Sequence, residues 1–276
     1  MRIAVTHSTV YRYSGPVYQE PHTFRLRPRQ DAAQRLLAFA LDISPAPAGQ
    51  TECLDQDGNV VCETWFSEPA GELAVHVSFE VETLRENPFD FILRTPDQLP
   101  LALGAPLAAA LAPYLSTPEA EAAAFAGELS AQSGHAALRF LSELNRALFE
   151  QFGHEVRDEG PPHAAALTLR DRKGTCRDLA VLFCEACRAA GIPARFVSGY
   201  ASGAAHSERA DLHAWAEVYL PGGGWRGYDP SQGLAVATSH VAVAAAALPA
   251  LAAPIAGTYR GSARATMDFS ISLQAR

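Results

Sequence analysis

A change of hydrophobic period along the chain restricts its fold more than any other feature of the sequence. Up to about residue 85, apolar and polar residues alternate in runs rich in β-branched and aromatic side chains: "RIAVTHSTVYRYS", "HTFRLRPR", "LLAFALDIS", "NVVCETWF" and "ELAVHVSFEVETL". A period of two buries one face of a strand. "DQDGN" at 55–59 supplies a hairpin turn, because Asp and Gly tolerate the positive φ that such turns need. Residues 1–85 are therefore expected to form an antiparallel β module.

The pattern then lengthens. Residues 86–134 read as a Pro- and Ala-rich connector with helices, in which Thr117, Pro118 and the acids after them carry helix-start signals. Leu138, Leu141, Leu144, Leu148 and Phe152 recur at steps of three and four, which predicts a helix over about 135–152. A second stripe, Leu179, Leu182, Phe183, Ala186, Cys187 and Ala190, predicts a helix from about Cys176 that Gly191 and Pro193 stop. "ARFVSGYA", "LHAWAEVYL", "GWRGYD" and "MDFSISLQ" return to strand patterns. The order is strands, then helices, then strands, with residues 135–276 as a second unit that keeps the C-terminal strand.

Composition narrows the function. A net charge of −8 disfavours nucleic acid as the main partner, since phosphate binding requires a basic surface, and it favours no anionic membrane surface. The N-terminus shows no basic start followed by an apolar run, and no stretch is apolar enough to span a bilayer, so a cytoplasmic protein is expected. The five cysteines, an odd number, argue against a disulfide framework. Cys184 and Cys187 form a CxxC with no second pair beside it, which speaks against a structural zinc.

Cys176 stands apart from the other thiols. It lies at a helix start, with Thr175 as the plausible N-cap and Asp178 stabilising the first turn. The first turn presents free N–H groups and a partial positive charge, which favour an anionic sulfur, the nucleophilic form. The same N–H groups can receive the oxyanion of a tetrahedral intermediate. A working thiol also needs a base. In "LHAWAEVYLPGGGWRGYDP", a hairpin folded about Pro221 sets His213 directly across from Asp229 on one face, where the carboxylate can fix the imidazole tautomer. Pairing slipped by one residue would turn Asp229 to the other face. His7, His22 and His76 are expected on strand surfaces, His135 at a helix start, and His163 and His206 in loops. His240, in the Ala-rich region near the C-terminus, is given no role.

Taken together, "GTCRD" around Cys176, "GIPARFVSGY", "HAWAEVYLPGGGW" and "YDPSQG" resemble the transglutaminase-like superfamily, and the first 85 residues with "APIAGTYRG" and "MDFSISL" are similar to its bacterial cysteine-protease-like branch. The resemblance implies an α+β fold with a papain-like core, in which the cysteine helix packs on an antiparallel sheet that carries the histidine and the aspartate. It implies that Cys176 attacks an amide carbonyl of a peptide or protein, that His213 moves the proton, that Asp229 orients His213, and that the Cys176 backbone helps hold the oxyanion. Two departures stand out. His154, in "FGH", occupies a position where the family often has a tyrosine that can act as a second oxyanion donor. "AAAALPAL" replaces a polar Gly-Arg-Asp-Tyr stretch. Trp215, Trp225 and Tyr200 are expected to line the cleft, with Gly199 and Tyr200 at a strand edge.

Amide hydrolysis through a thioester is the favoured activity, because no calcium-loop spacing is present. Transamidation and a non-catalytic binding module on the same fold are the alternatives. No cofactor and no metal are expected, and the oligomeric state is left open.

Overall fold

The computed structural model describes residues 1–157, 159–202 and 212–276. His206 lies outside the described residues. The N-terminal part contains β1 (Arg2–Gln19), β2 (His22–Phe24), β3 (Gln34–Ser44), β4 (Gly49–Leu54), β5 (Val60–Trp65) and β6 (Ala70–Thr83). β1, β6 and β3 pair antiparallel in that spatial order, while β2, β5 and β4 belong to a second antiparallel sheet. The turn between β4 and β5 closes as its sequence requires. Gly58 takes φ +77° and the Asp55 carboxylate accepts from the Asp57 and Asn59 N–H groups. Ile3, Val5, Leu73, Val75, Val77 and Val81 fill the space under the first sheet.

The helical region holds α1 (Ala105–Leu111), α2 (Ala120–Gln132) and α3 (Ala137–Gln151). α2 starts later than Thr117 and Pro118 suggest: its N-cap is Glu119, whose carboxylate makes no cap and accepts from the Ala166 N–H of a neighbouring helix. β7 (Gly153–His154), α4 (Ala165–Asp171), β8 (Lys173–Gly174) and α5 (Cys176–Ala189) follow. α4 has no clear signal in the sequence. Leu141, Leu144 and Leu148 of α3 meet Leu179, Leu182 and Phe183 of α5 in one core, as their spacing predicts.

The second large sheet takes its strands from β9 (Ala194–Ala201), β10 (Leu212–Leu220), β11 (Gly224–Asp229), β12 (Leu234–Ala235) and β13 (His240–Ala246), in the spatial order β12-β11-β10-β9-β13. β13 comes from the Ala-rich stretch. Alanine is a poor strand former, but all seven residues of β13 are buried, and its alanines pack closely on Ala180 and Ala214. β9 is therefore interior, and Gly199 and Tyr200 do not lie at a strand edge.

The chain ends in the N-terminal module. β14 (Ile255–Ala256) pairs with β2, and both β15 (Tyr259–Arg260) and β16 (Ala265–Ala275) pair with β1. This corrects the expectation that residues 135–276 keep the C-terminal strand. The alternation of "MDFSISLQ" identifies a strand, but its partner lies more than 250 residues away in sequence, beyond the reach of any local pattern.

Side-chain amides dock this module on the open edge of β13. Gln34 donates to the Ala242 carbonyl and accepts from the Ala242 N–H, and Asn59 does the same with Ala245. Two amides thus stand in for a missing neighbour strand, which protects an edge that would otherwise pair at random. Tyr200 reinforces the joint. Its ring is fully buried against Phe79, and its hydroxyl bonds His7 Nδ1 at 2.7 Å. His7 is accordingly buried, not a surface residue, and burial lowers its pKa to about 4. His22 is buried as well.

Tyr200 therefore serves the joint and not a cleft. Tyr200→Phe is expected to cost about 1 kcal/mol of stability, the typical worth of one buried hydrogen bond, and to leave the alkylation rate of Cys176 unchanged. Denaturant unfolding and thiol labelling followed by peptide mapping check the two halves.

Candidate active site

α5 begins on a closed capping box. Thr175 Oγ1 accepts from the Asp178 N–H, and the Asp178 carboxylate accepts from both the Thr175 N–H and its hydroxyl. Asp178 is fully buried, and its charge is answered by Arg157, whose two terminal nitrogens donate to it at 2.8 and 3.0 Å. Burial opposes the charge, but these donors and the His163 N–H win and hold the carboxyl below its usual range. Cys176 is thereby fixed at the first helical position, partly exposed. Its N–H belongs to the first turn, where backbone donors have no intrahelical acceptor.

His213 enters from β10 and Asp229 from the end of β11. The pairing differs from a hairpin folded about Pro221. Leu220 faces Gly224 and Ala216 faces Tyr228, so the fold centres on Gly222. Pro221 and Gly222 occupy the corner of a turn closed by the Gly223 N–H on the Leu220 carbonyl, and Gly222 and Gly224 take φ +94° and +67°. Only glycine adopts these values without strain. The shift from direct opposition is two residues, and two preserves the face. His213 meets Asp229 diagonally, with Nε2 donating to Oδ2 at 2.6 Å. Diagonal neighbours are within reach of a long side chain. Nδ1 is then the ring nitrogen left free of the carboxylate, and Cys176 is near enough to help raise the imidazole.

Burial by itself would lower the pKa of His213. The charge and hydrogen bond of Asp229, with a further contribution from Cys176, outweigh it and raise the imidazole to about 10. The same exchange works on the partner: burial opposes ionisation of Asp229, but His213 and a second imidazole hold it far below the carboxylate range.

That second imidazole is His240, at the start of β13. Its Nε2 lies 3.0 Å from the same Oδ2, and its Nδ1 lies 2.9 Å from Ser239 Oγ. The other carboxylate oxygen, Oδ1, accepts from Ser231 N and Oγ at 3.0 and 2.7 Å and from the Gln232 N–H at 3.3 Å. Sequence reasoning missed His240 because an alanine tract carries no strand signal. Ser231, two residues after Asp229, was legible in principle as a short polar side chain able to bond back to the chain.

The remaining expected residues fall into three places. Trp215 is 1% exposed and stacks beside His213, with His240 against it edge-on, so it is a floor beneath the site and not a cleft wall. Trp225 covers the Arg195 guanidinium at 4.1 Å and packs on Tyr114 and Tyr219. It sits at the turn end of β11, about 13 Å of strand from Asp229. Tyr200 belongs to the joint described above. His154 pairs through β7 with Gly174, just before Cys176, and lines a cavity of 140 Å³ with Phe149, Leu179 and Ser231.

The other thiols are unlike Cys176. Cys184 and Cys187 are buried in the core, and burial pushes Cys184 up to about 12 and Cys187 well above its ordinary value. Cys62 is buried on β5 and also raised, and Cys53 is exposed on β4. Among the described residues, His213, Asp229 and His240 are the group whose ligating atoms, all within 4.8 Å of one another, could meet on a metal. Two ligands on a tetrahedral zinc, each about 2.0–2.1 Å from it, stand about 3.3 Å apart. The observed 2.6 and 3.0 Å are N–H···O distances, so the cluster is hydrogen-bonded.

Residues 3–82 match the family profile described as "Bacterial transglutaminase-like N-terminal region", and residues 123–230 match "Transglutaminase-like superfamily". An uncharacterized protein of Mycobacterium leprae is 26% identical over 99% of this chain and 98% of its own. A protein-glutamine gamma-glutamyltransferase of Pseudomonas aeruginosa is 35% identical, but over only 32% of this chain and 15% of its own. A solved structure of a candidate cysteine protease from Cytophaga hutchinsonii superposes with a TM-score of 0.73 at 20% identity, over 100% of this chain and 91% of that one, and so shares the fold.

The imidazole value is open to direct measurement. In an NMR titration of ring resonances, His213 is expected to lose its proton near pH 10. In Asp229→Asn, where only the contribution of Cys176 still opposes burial, the midpoint is expected well below that value. A midpoint near 6.5 in both proteins would contradict the assigned cause.

Proposed function

Because the chain belongs to the transglutaminase-like superfamily, we propose that it is a thiol acyl-transfer enzyme that hydrolyses amide bonds of peptides or proteins. The observation that carries this reading is the imidazole of His213, held by Asp229 on one ring nitrogen and raised in part by the partly exposed Cys176 nearby.

In the first step, Cys176 Sγ, its proton already held by the His213 imidazolium, forms a bond to the amide carbonyl carbon. The carbonyl oxygen becomes an oxyanion, and the Cys176 N–H at the head of α5 donates to it. The His213 imidazolium then gives its proton to the nitrogen of the leaving amine, the C–N bond breaks, and an acyl thioester remains on Cys176. Water loses a proton to His213 and attacks the thioester. The C–S bond breaks, a carboxylic acid leaves, and the proton taken from water stays on His213, ready for the next turnover. Asp229 stays ionised throughout and keeps the imidazole in one tautomer.

Transfer to an amine in place of water is a second reading. The stretch shared with the Pseudomonas aeruginosa gamma-glutamyltransferase favours it. Both readings use the same thioester, and they differ in which nucleophile reaches it.

A peptide and amide library, incubated with hydroxylamine or a labelled amine and read by mass spectrometry, separates these outcomes. The wild-type protein is expected to yield free acids, and an amide adduct in their place would establish transfer. In Cys176→Ala, turnover is expected to fall by at least about 10³-fold, as for loss of a nucleophile elsewhere. Turnover that survives in Cys176→Ala would overturn the proposal.

A further inference from the structure

The Asp229 carboxylate serves two imidazoles, and the reaction described above uses only one of them. Both His213 Nε2 and His240 Nε2 reach the same oxygen, Oδ2, at 2.6 and 3.0 Å. A carboxylate oxygen only accepts, so His240 Nε2 carries a proton. Its Nδ1 is hydrogen-bonded to Ser239 Oγ, 2.9 Å away. Ser239 is itself held, because its carbonyl accepts from the N–H and the hydroxyl of Ser202. His240 and His213 thus donate to the one carboxylate oxygen from two sides, and Ser239 holds the far nitrogen of His240.

The packing gives His240 little freedom to do anything else. Its side chain is 1% exposed, and Trp215 lies against it with ring centroids 5.1 Å apart. The strand that separates β13 from β10 contributes no side chain at the point of crossing. A Cβ on Gly199 would stand 2.7 Å from the Trp215 ring and 2.1 Å from the Val241 carbonyl oxygen. A glycine there lets Trp215 and His240 close over β9 toward Asp229. A histidine kept only to fill this space would not need a donor aimed at Oδ2 or a second nitrogen aimed at a hydroxyl.

We propose that His240 is a positioning residue of this active site: through its N–H on Oδ2 it holds the Asp229 carboxylate in the one orientation that keeps the free nitrogen of His213 on Cys176. The proposal rests on the thiol-enzyme reading given above. The Ser231 and Gln232 donors pin Oδ1. His240 pins Oδ2, and together they leave the carboxylate no rotation about its own bond.

Alkylation of Cys176 by iodoacetamide at pH 7, located by peptide mapping, tests this without a known substrate. Cys176 in the wild type is expected to label faster than exposed Cys53. If it does not, the thiol-enzyme reading itself fails, and with it this proposal. In His240→Leu the rate at Cys176 is expected to fall about tenfold, about 1.4 kcal/mol in the barrier. His240→Gln, whose amide can still donate, is expected to recover the rate to within about twofold. The low-field proton signal of the His213–Asp229 hydrogen bond should broaden in His240→Leu and return in His240→Gln. If the wild type is selective and a cooperatively folded His240→Leu labels Cys176 at the same rate, His240 is structural and the proposal is overturned. Where His240→Leu does not fold, Ser239→Ala decides, with a slowing at Cys176 expected and an unchanged rate overturning the proposal.

Discussion

One buried carboxylate carries the site. Asp229 is fully removed from solvent, and burying an ionised acid is expensive unless its oxygens are satisfied. Here each oxygen has its own donors, two imidazoles on Oδ2 and the chain just beyond Asp229 on Oδ1. The charge that remains is what raises His213. An aspartate at this point without its donors would take up a proton itself, and the imidazole beside it would lose its reason to be charged.

The rest of the architecture can be seen as what brings those donors together. β11 delivers Asp229, β10 delivers His213 and β13 delivers His240, and these strands share one sheet in which Gly199 leaves the crossing open. The edge of that sheet would be exposed at β13. Gln34 and Asn59 of the N-terminal module close it with their amides. The module is thus tied, through β13, to the strand that supplies one of the carboxylate's donors. On the other side of the site, Asp178 and Arg157 fix the start of α5 and with it the place of Cys176.

What the sequence revealed follows from the range of each interaction. The start of α5 was legible because Thr175, Cys176 and Asp178 lie within one turn and cap themselves. The shared face of His213 and Asp229 was legible because a strand alternates with a period of two. Their register was not, since a glycine-rich turn can take up two residues without changing the face. β13 and His240 were illegible for a different reason: alanines become a strand here only because they are packed on both sides by segments distant in sequence. Trp225 lies close to Asp229 along the chain and was expected near the thiol, but an extended strand carries it to the far end of the hairpin. For β16 the alternation was visible and the partner was not.

The account reduces to a sulfur and an imidazole that share a proton under the control of Asp229. Intact-protein mass spectrometry after rapid mixing with a small activated ester measures this most directly. The account predicts a burst of a single acyl group, mapped to Cys176 and absent from His213→Ala. An acyl group distributed over several residues, or one formed on Cys176 equally fast in His213→Ala, would contradict it.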